Sequence, residues 1–231
     1  MLHDADIREP LFDFLEETYG KIRILEERNT GRSRADVVMV TENEVIGLEI
    51  KSDADSYQRL SGQVKDYDRY YDRNFVVIGS SHARSIESHV PEYWGIITVD
   101  EVDGRPDFLI FRKPLPNPKR SLARKLSIMW RPELVHIQEI FEMPRYKAES
   151  KDFVIGKIAE RTVYPPDKKG YIDPEKLATA ISNELFERDY NTIGAEIRAY
   201  RKEERTRKKK SAGSVKKPTR RKKNLLNLLL G

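Results

Sequence analysis

In the first half of the chain, the spacing of hydrophobic residues is typical of helices in some segments and of strands in others. Ile7, Leu11, Phe14 and Leu15 recur at helical spacing, and Gly20 is placed to end that helix. β-rich runs separated by turn residues follow. The pattern predicts a helix over residues 6–19, strands over 21–27, 35–40 and 45–51, a helix over 56–71, a strand over 75–79, a short helix over 81–89, and strands over 95–99 and 107–111. This order predicts an α/β fold with a mixed sheet flanked by helices.

The pattern changes at residues 114–118, where three prolines stand in five positions. Proline interrupts both helices and strand ladders, so we place a domain boundary here. Three short helices are predicted beyond it, over residues 132–141, 151–161 and 174–188. The predicted organisation is a main domain over residues 1–118, a small helical region over 119–196, and a basic tail over 197–231 that is expected to be disordered.

Two charged residues interrupt the apolar run at residues 45–51. Glu49 and Lys51 are two positions apart, so on a strand both side chains point to one face and Ile50 points to the other. A two-residue turn at Asn43-Glu44 or Glu42-Asn43 would put Asp36 on the same face, opposite residue 51 or 49 respectively. A three-residue turn would place Asp36 opposite Ile50, so the arrangement depends on turn length.

Composition limits the chemistry of such a site. No stretch approaches the roughly 20 apolar residues that span a bilayer, and the start of the chain lacks the order of a secretory signal, so we expect a cytoplasmic protein with no membrane partner. Cysteine is absent, which leaves carboxylates and histidines to hold any metal. The four histidines show no ligand spacing, and carboxylates favour a hard cation such as Mg²⁺.

The formal net charge of +5 is concentrated near the end of the sequence. A basic segment of this density suits a polyanion partner, because it neutralises phosphates and releases counterions. The alternatives are a solvated, disordered end and a segment that recruits a partner or membrane surface. Candidate nucleic-acid-binding residues in it are Lys208, Lys209, Lys210, Arg220 and Arg221.

Asp36 and the later Glu49-Ile50-Lys51 resemble the D-x(n)-E-x-K signature of the PD-(D/E)xK nuclease superfamily, although Ala35 stands where the proline of that name would be. The resemblance implies a restriction-endonuclease-like fold over residues 6–113. It also implies that Asp36, Glu49 and the Ile50 carbonyl hold Mg²⁺ or Mn²⁺. Lys51 would then orient or deprotonate the attacking water, or stabilise charge.

A second motif lies in the following helix. Gln63 and Tyr67 are four residues apart, on one helical face, and resemble the Q-x-x-x-Y element of the RecB-like and Holliday-resolvase-like branches. The resemblance implies that both reach the metal site or the nucleic-acid backbone. The alternative is an ordinary, partly exposed helix face.

Other residues could complete the site. The first helix of this superfamily commonly supplies a further acid, for which Glu9 is the best-placed candidate and Glu16 the next. A capping role for Glu9 is an equal alternative. Glu26 ends the first strand near Asp36. Arg32 and Arg34 could bind phosphate, although surface arginines are often only solvated.

The resulting hypothesis is a Mg²⁺- or Mn²⁺-dependent nuclease that hydrolyses phosphodiester bonds in DNA, similar to nuclease-like proteins of bacterial and phage genomes. The alternative is a non-catalytic nucleic-acid-binding protein with the same fold. A two-fold homodimer would suit double-strand cleavage, although the sequence carries no interface signature.

Overall fold

The computed structural model describes residues 4–51 and 57–188. The predicted tail residues Lys208, Lys209, Lys210, Arg220 and Arg221 lie outside this part. The helices are α1 (Asp4–Tyr19), α2 (Leu60–Tyr70), α3 (Ala83–Ile86), α4 (Leu122–Ser127), α5 (Arg131–Ile140), α6 (Lys151–Arg161) and α7 (Pro174–Phe186), and short 3-10 turns span Tyr57–Arg59 and Ser80–His82. The strands are β1 (Arg23–Thr30), β2 (Ser33–Val40), β3 (Val45–Lys51), β4 (Arg73–Gly79), β5 (Gly95–Val102) and β6 (Arg105–Arg112).

The strands form one mixed sheet in the order β1-β2-β3-β4-β5-β6. β3, β4 and β5 run parallel to one another, whereas β1, β2 and β3 pair antiparallel in sequence and β6 pairs antiparallel with β5. Parallel pairing is permitted because helical connections precede β4 and β5. The predicted α/β fold with a mixed sheet flanked by helices is confirmed.

The hairpin between β2 and β3 has the second of the two predicted registers. Val40 pairs with Val45, and Thr41 N–H donates to the Glu44 carbonyl at 2.9 Å, so Glu42-Asn43 is the two-residue turn. Val37 pairs with Leu48. The next pair of positions places Asp36 opposite Glu49, on the face of the sheet that carries Lys51.

Each face of the sheet has its own apolar core. On one face, Ile7, Leu11 and Leu15 of α1 pack against residues that include Val37 and Leu48. On the other, α2 and the C-terminal helices form a second cluster with the sheet. Every residue of β3 is buried because both faces are covered, so its two charged side chains are inside the protein.

The proline-rich segment is not a boundary between compact units. One unit extends to Arg188, and side chains of α4 to α7 share a core cluster with β2 and α2. Asn117 is buried within that segment, and its Nδ2 donates to the carbonyls of Asp68 and Tyr71 at 2.8 and 2.7 Å. Residues 114–118 therefore attach to the end of α2, and the predicted division at residue 118 is wrong as a structural boundary.

A buried ion pair joins the sheet to the C-terminal helices. Lys125 Nζ donates to Asp72 Oδ2 at 2.6 Å, to the Ala178 carbonyl at 2.8 Å and to Ser182 Oγ at 2.9 Å. Asp72 also accepts from the Val45 N–H at 2.7 Å. Burial lowers the pKa of the Lys125 ammonium, and the negative charge of Asp72 opposes that change. These bonds compensate much of the cost of burying two charges.

Among the described residues, no helix is both long and apolar enough to cross a membrane.

We expect Lys125→Met to lower the free energy of unfolding by about 1.5–3 kcal/mol, because it removes a charged hydrogen bond to the buried Asp72 and leaves Arg120 Nη1, at 2.7 Å, as the cation beside that carboxylate. Urea unfolding followed by circular dichroism measures the change. Lys157→Met is the control, since Lys157 forms an exposed pair with Glu160 on α6 and should unfold like wild type. Equal stability of Lys125→Met and wild type would contradict a supporting role for this network.

Candidate active site

Asp36 lies where β2 and β3 stop pairing. The register ends at Val37 and Leu48, and the Asp36 side chain replaces the next bond, because its Oδ2 accepts from the Ile50 N–H at 2.9 Å. This bond fixes the carboxylate between the two strands. About a quarter of the side chain, 23%, stays exposed, and Asp36 lines the cleft described below.

Glu49 is the most deeply buried group of the site, with a side chain that is 1% exposed. Its Oε1 accepts from Lys51 Nζ at 2.7 Å, and Gln63 Nε2 donates to the same oxygen. The Gln63 amide oxygen in turn accepts from Lys51 Nζ at 3.1 Å. Gln63 thus contacts both charged residues of β3.

Tyr67 connects the two carboxylate residues. Its hydroxyl donates to Glu49 Oε2 at 2.6 Å and accepts from the Asp36 N–H at 3.2 Å. Burial raises the pKa of Tyr67 well above its usual value, and the negative charges of Glu49 and Asp36 act in the same direction. The phenol is therefore a neutral hydrogen-bond donor at ordinary pH.

A glycine on β3 allows α2 to approach this closely. A Cβ at Gly47 would lie 2.3 Å from the Tyr71 ring and 2.8 Å from the Tyr67 ring. Both rings therefore pack directly against the strand backbone, which brings the Tyr67 hydroxyl within reach of Glu49. Because Gln63 is one turn before Tyr67, it reaches the same carboxylate.

The first helix contributes a positively charged side chain, Arg8, to the site, where a carboxylate was expected. Arg8 Nη1 donates to the Asp36 carbonyl at 3.2 Å, and Nη2 lies 3.7 Å from Asp36 Oδ1. Glu9 and Glu16 are exposed and do not line the cleft over Asp36. Glu26 lies 3.7 Å from Arg8 and is half exposed. The expected metal role of Glu9 receives no geometric support, because α1 turns Arg8 toward Asp36.

A cleft of about 1200 Å³ opens over these residues. Arg32 and Arg34, the predicted phosphate-binding residues, line it, as does Ile50. Sequence reasoning missed a further set of basic residues in its walls. These are Arg8 of α1, Arg59, Lys65 and Arg69 on or just before α2, and Arg124 of α4.

Asp66 fixes the turn that carries Arg32. Its Oδ2 accepts from the Arg32 N–H at 3.1 Å and from Ser33 Oγ at 2.7 Å. Gly31 has a φ of +66°, and a Cβ there would lie 2.6 Å from Asp66 Oδ1. The β1–β2 turn is therefore held against α2, and β1 continues to Thr30 instead of ending near residue 27 as predicted.

The possible metal ligands in the cleft are the carboxylate oxygen atoms of Asp36 and Glu49. Among residues 4–51 and 57–188, no group of three or more acidic or histidine side chains is placed to hold a metal. Mg²⁺ commonly binds through one or two carboxylates and retains several waters. Asp36 and Glu49, together with the main chain of Ile50, fit a hydrated cation of this kind, and do not fit a metal enclosed by protein ligands alone.

Comparison with known proteins places the chain in a phage family. The family model described as Bacteriophage P4 protein cII matches residues 2–169, which contain the whole candidate site. Comparison with curated proteins and with solved structures finds no match. The family match spans well over half of the 231 residues. The chain therefore belongs to the bacteriophage P4 protein cII family.

Proposed function

We propose that this protein is a metal-dependent nuclease that hydrolyses phosphodiester bonds in DNA. The observation that carries the proposal is the convergence of Asp36, Glu49 and Lys51 on one floor, held by Gln63 and Tyr67, beneath a cleft with basic walls. Five residues that the sequence singled out for one chemistry thus make mutual contacts.

The two carboxylates and the Ile50 carbonyl would hold Mg²⁺ or Mn²⁺. Such a cation lowers the pKa of attacking water and stabilises negative charge on the phosphate during hydrolysis. Tyr67 and Gln63 orient Glu49 through one hydrogen bond to each of its oxygens. Hydrogen-bonded partners of a metal ligand fix its orientation and thereby support binding of the metal.

Lys51 serves as a hydrogen-bond donor and positive charge beside the reacting phosphate. The two contacts of its Nζ, Glu49 Oε1 and Gln63 Oε1, are both acceptors. A positive group held in a site with little water stabilises charge that develops in the transition state. The arrangement favours this role over removal of a proton from water.

The rival proposal is a nucleic-acid-binding protein without catalysis, which the basic walls alone would support. A binding role gives no reason for the burial of Glu49 and Lys51, although burying an ion pair costs desolvation free energy. Cleavage distinguishes the two proposals. The rival predicts that the protein binds DNA without hydrolysing it, whether or not metal is present and whether or not the site residues are substituted.

We expect wild type to cleave DNA in Mg²⁺ or Mn²⁺, and Asp36→Asn to lose more than about 100-fold in rate, since loss of even a hydrogen-bonded partner of a ligand costs about 10–100-fold. Gel analysis of a panel of single-stranded, duplex and branched DNA measures the rate, and calorimetry measures metal binding. Glu42→Gln, in the exposed turn of the same hairpin, is the matched control and should cleave normally. Absence of cleavage by wild type on the whole panel would refute the nuclease proposal.

Lys51→Met should slow cleavage by about 10²–10³-fold, the range found for loss of one transition-state donor. Lys51→Arg should keep part of the activity, because a guanidinium still donates hydrogen bonds but does not accept a proton at neutral pH. Single-turnover rates distinguish the variants, and Lys113→Met at an exposed position is the control. If Lys51→Arg is as inactive as Lys51→Met while binding DNA normally, the donor role is wrong.

Tyr67→Phe and Tyr71→Phe separate orientation of Glu49 from stability. Each removes a buried hydroxyl, since Tyr71 OH shares a 2.6 Å hydrogen bond with Thr30, so each should lose about 1–3 kcal/mol of unfolding free energy. Only Tyr67→Phe should also slow cleavage, by about 10–100-fold, with weaker metal binding. Equal activities for the two variants, measured well below their melting temperatures, would show that Tyr67 acts only in folding.

A further inference from the structure

The wall of the cleft formed by α2 has an unusual residue at its surface. Gly62 lies in the first turn of α2, is exposed and lines the cleft. A Cβ at this position would meet nothing within 4 Å. Glycine is less favourable in a helix than any residue except proline, and no contact in the described part of the protein requires it here. The open space above Gly62 is the cleft itself.

Cations flank this open position along the helix. Arg59 lies about one turn before Gly62 and Arg69 about two turns after it, and Arg124 of α4 lines the same cleft. The three guanidinium groups are exposed and have no carboxylate partner among residues 4–51 and 57–188. The ten steps from Arg59 to Arg69 extend over about 15 Å of helix axis, at about 1.5 Å a residue. Gln63, beside Gly62, contacts Glu49 and Lys51.

We propose that this surface of α2, composed of Arg59, Gly62, Arg69 and the adjacent Arg124, is a backbone track for one unpaired strand of nucleic acid. The proposal rests on the nuclease function and adds its substrate class. A residue without a side chain permits close approach of a ligand, here the sugar-phosphate backbone. The arginines on either side bind neighbouring phosphates, and Gln63 places the strand beside the catalytic residues.

The size and depth of the cleft favour one strand over a duplex. Glu49 and Lys51 are only 1% and 9% exposed, so a scissile phosphate must enter the cleft to reach them. A volume of about 1200 Å³ exceeds only slightly the roughly 300–1,000 Å³ of pockets for single small ligands. It accommodates a few linked nucleotides, whereas a paired partner strand would have to stay outside.

The chain provides a matched control for Gly62. Gly156 of α6 is also an exposed helical glycine with nothing within 4 Å of an added Cβ, but it does not line the cleft. Gly62→Ala and Gly156→Ala should both raise the melting temperature, because alanine favours the helix. Gly62→Gln and Gly156→Gln compare the steric effect of a longer uncharged side chain at the two positions.

The test measures binding of the full chain to a fluorescein-labelled 20-nucleotide single strand and to its duplex, by anisotropy in EDTA so that no cleavage occurs. Wild type should bind the single strand more tightly than the duplex. Gly62→Gln should weaken single-strand binding by about tenfold or more, whereas Gly156→Gln should bind like wild type. Arg69→Gln and Arg124→Gln should each reduce the salt dependence of log K by about 0.7, the contribution of one phosphate contact on a single strand.

Unchanged single-strand affinity in Gly62→Gln, no binding by wild type, or tighter binding of the duplex would overturn the track. These results are separable from the nuclease proposal, which is tested by cleavage in metal. Cleavage by wild type with a normal Gly62→Gln variant would reject the track alone. Weakened binding in Gly62→Gln without cleavage by wild type on any substrate would reject catalysis and leave the track supported.

Discussion

The burial of the Glu49 carboxylate is the constraint on which the site depends. A carboxylate removed from water costs several kcal/mol unless hydrogen bonds and an opposite charge replace its hydration. Here Lys51 comes from the same strand, and Gln63 and Tyr67 come from α2. Since α2 must lie against β3 to supply them, the requirement of one side chain fixes the position of a whole helix. Gly47 makes that position sterically accessible.

The helix fixed in this way organises much of the protein. Asp66 holds the β1–β2 turn, and Asp68 accepts from Trp94 Nε1 and Tyr93 OH at 2.8 and 2.7 Å. Asp72, just after α2, binds the start of β3 and the buried Lys125 of α4. Three acids spaced along one segment thus connect α2 to the first hairpin, to the segment before β5 and to the C-terminal helices. Changes far from the cleft can therefore alter the positions of Gln63 and Tyr67.

The sequence predicted the elements with strong periodicity and missed those that depend on buried charge. The β2–β3 hairpin followed from two β-rich apolar runs separated by turn residues, and a two-residue turn restricted Asp36 to two registers that both joined it to Glu49 and Lys51. The helix α4 was missed because it is short, follows three prolines and buries Lys125, which a sequence pattern treats as a surface residue. The prolines also suggested a boundary that the buried contacts of Asn117 contradict.

The basic residues that line the cleft could not be predicted from the sequence for a related reason. Arg8, Arg59, Arg69 and Arg124 are separated along the chain and no local charge run marks them, whereas the basic residues near the end of the sequence are concentrated in one segment. The spacing of Arg59, Gly62, Gln63 and Asp66 by three and four residues was a usable signal, since it places them on the helical face of the Q-x-x-x-Y element.

The negative and positive side chains occupy different parts of the cleft, and their positions are consistent with the proposed chemistry. The carboxylates lie on the floor, and the exposed arginines lie on the walls. The Asp36 carboxylate, which is 23% exposed, would repel an approaching phosphate, while the arginines of the walls attract the rest of the same strand. The proposed divalent cation would remove that repulsion, so bound metal and bound strand would each strengthen binding of the other by linkage. This reciprocity follows from the positions of the charges and requires no movement of the helices.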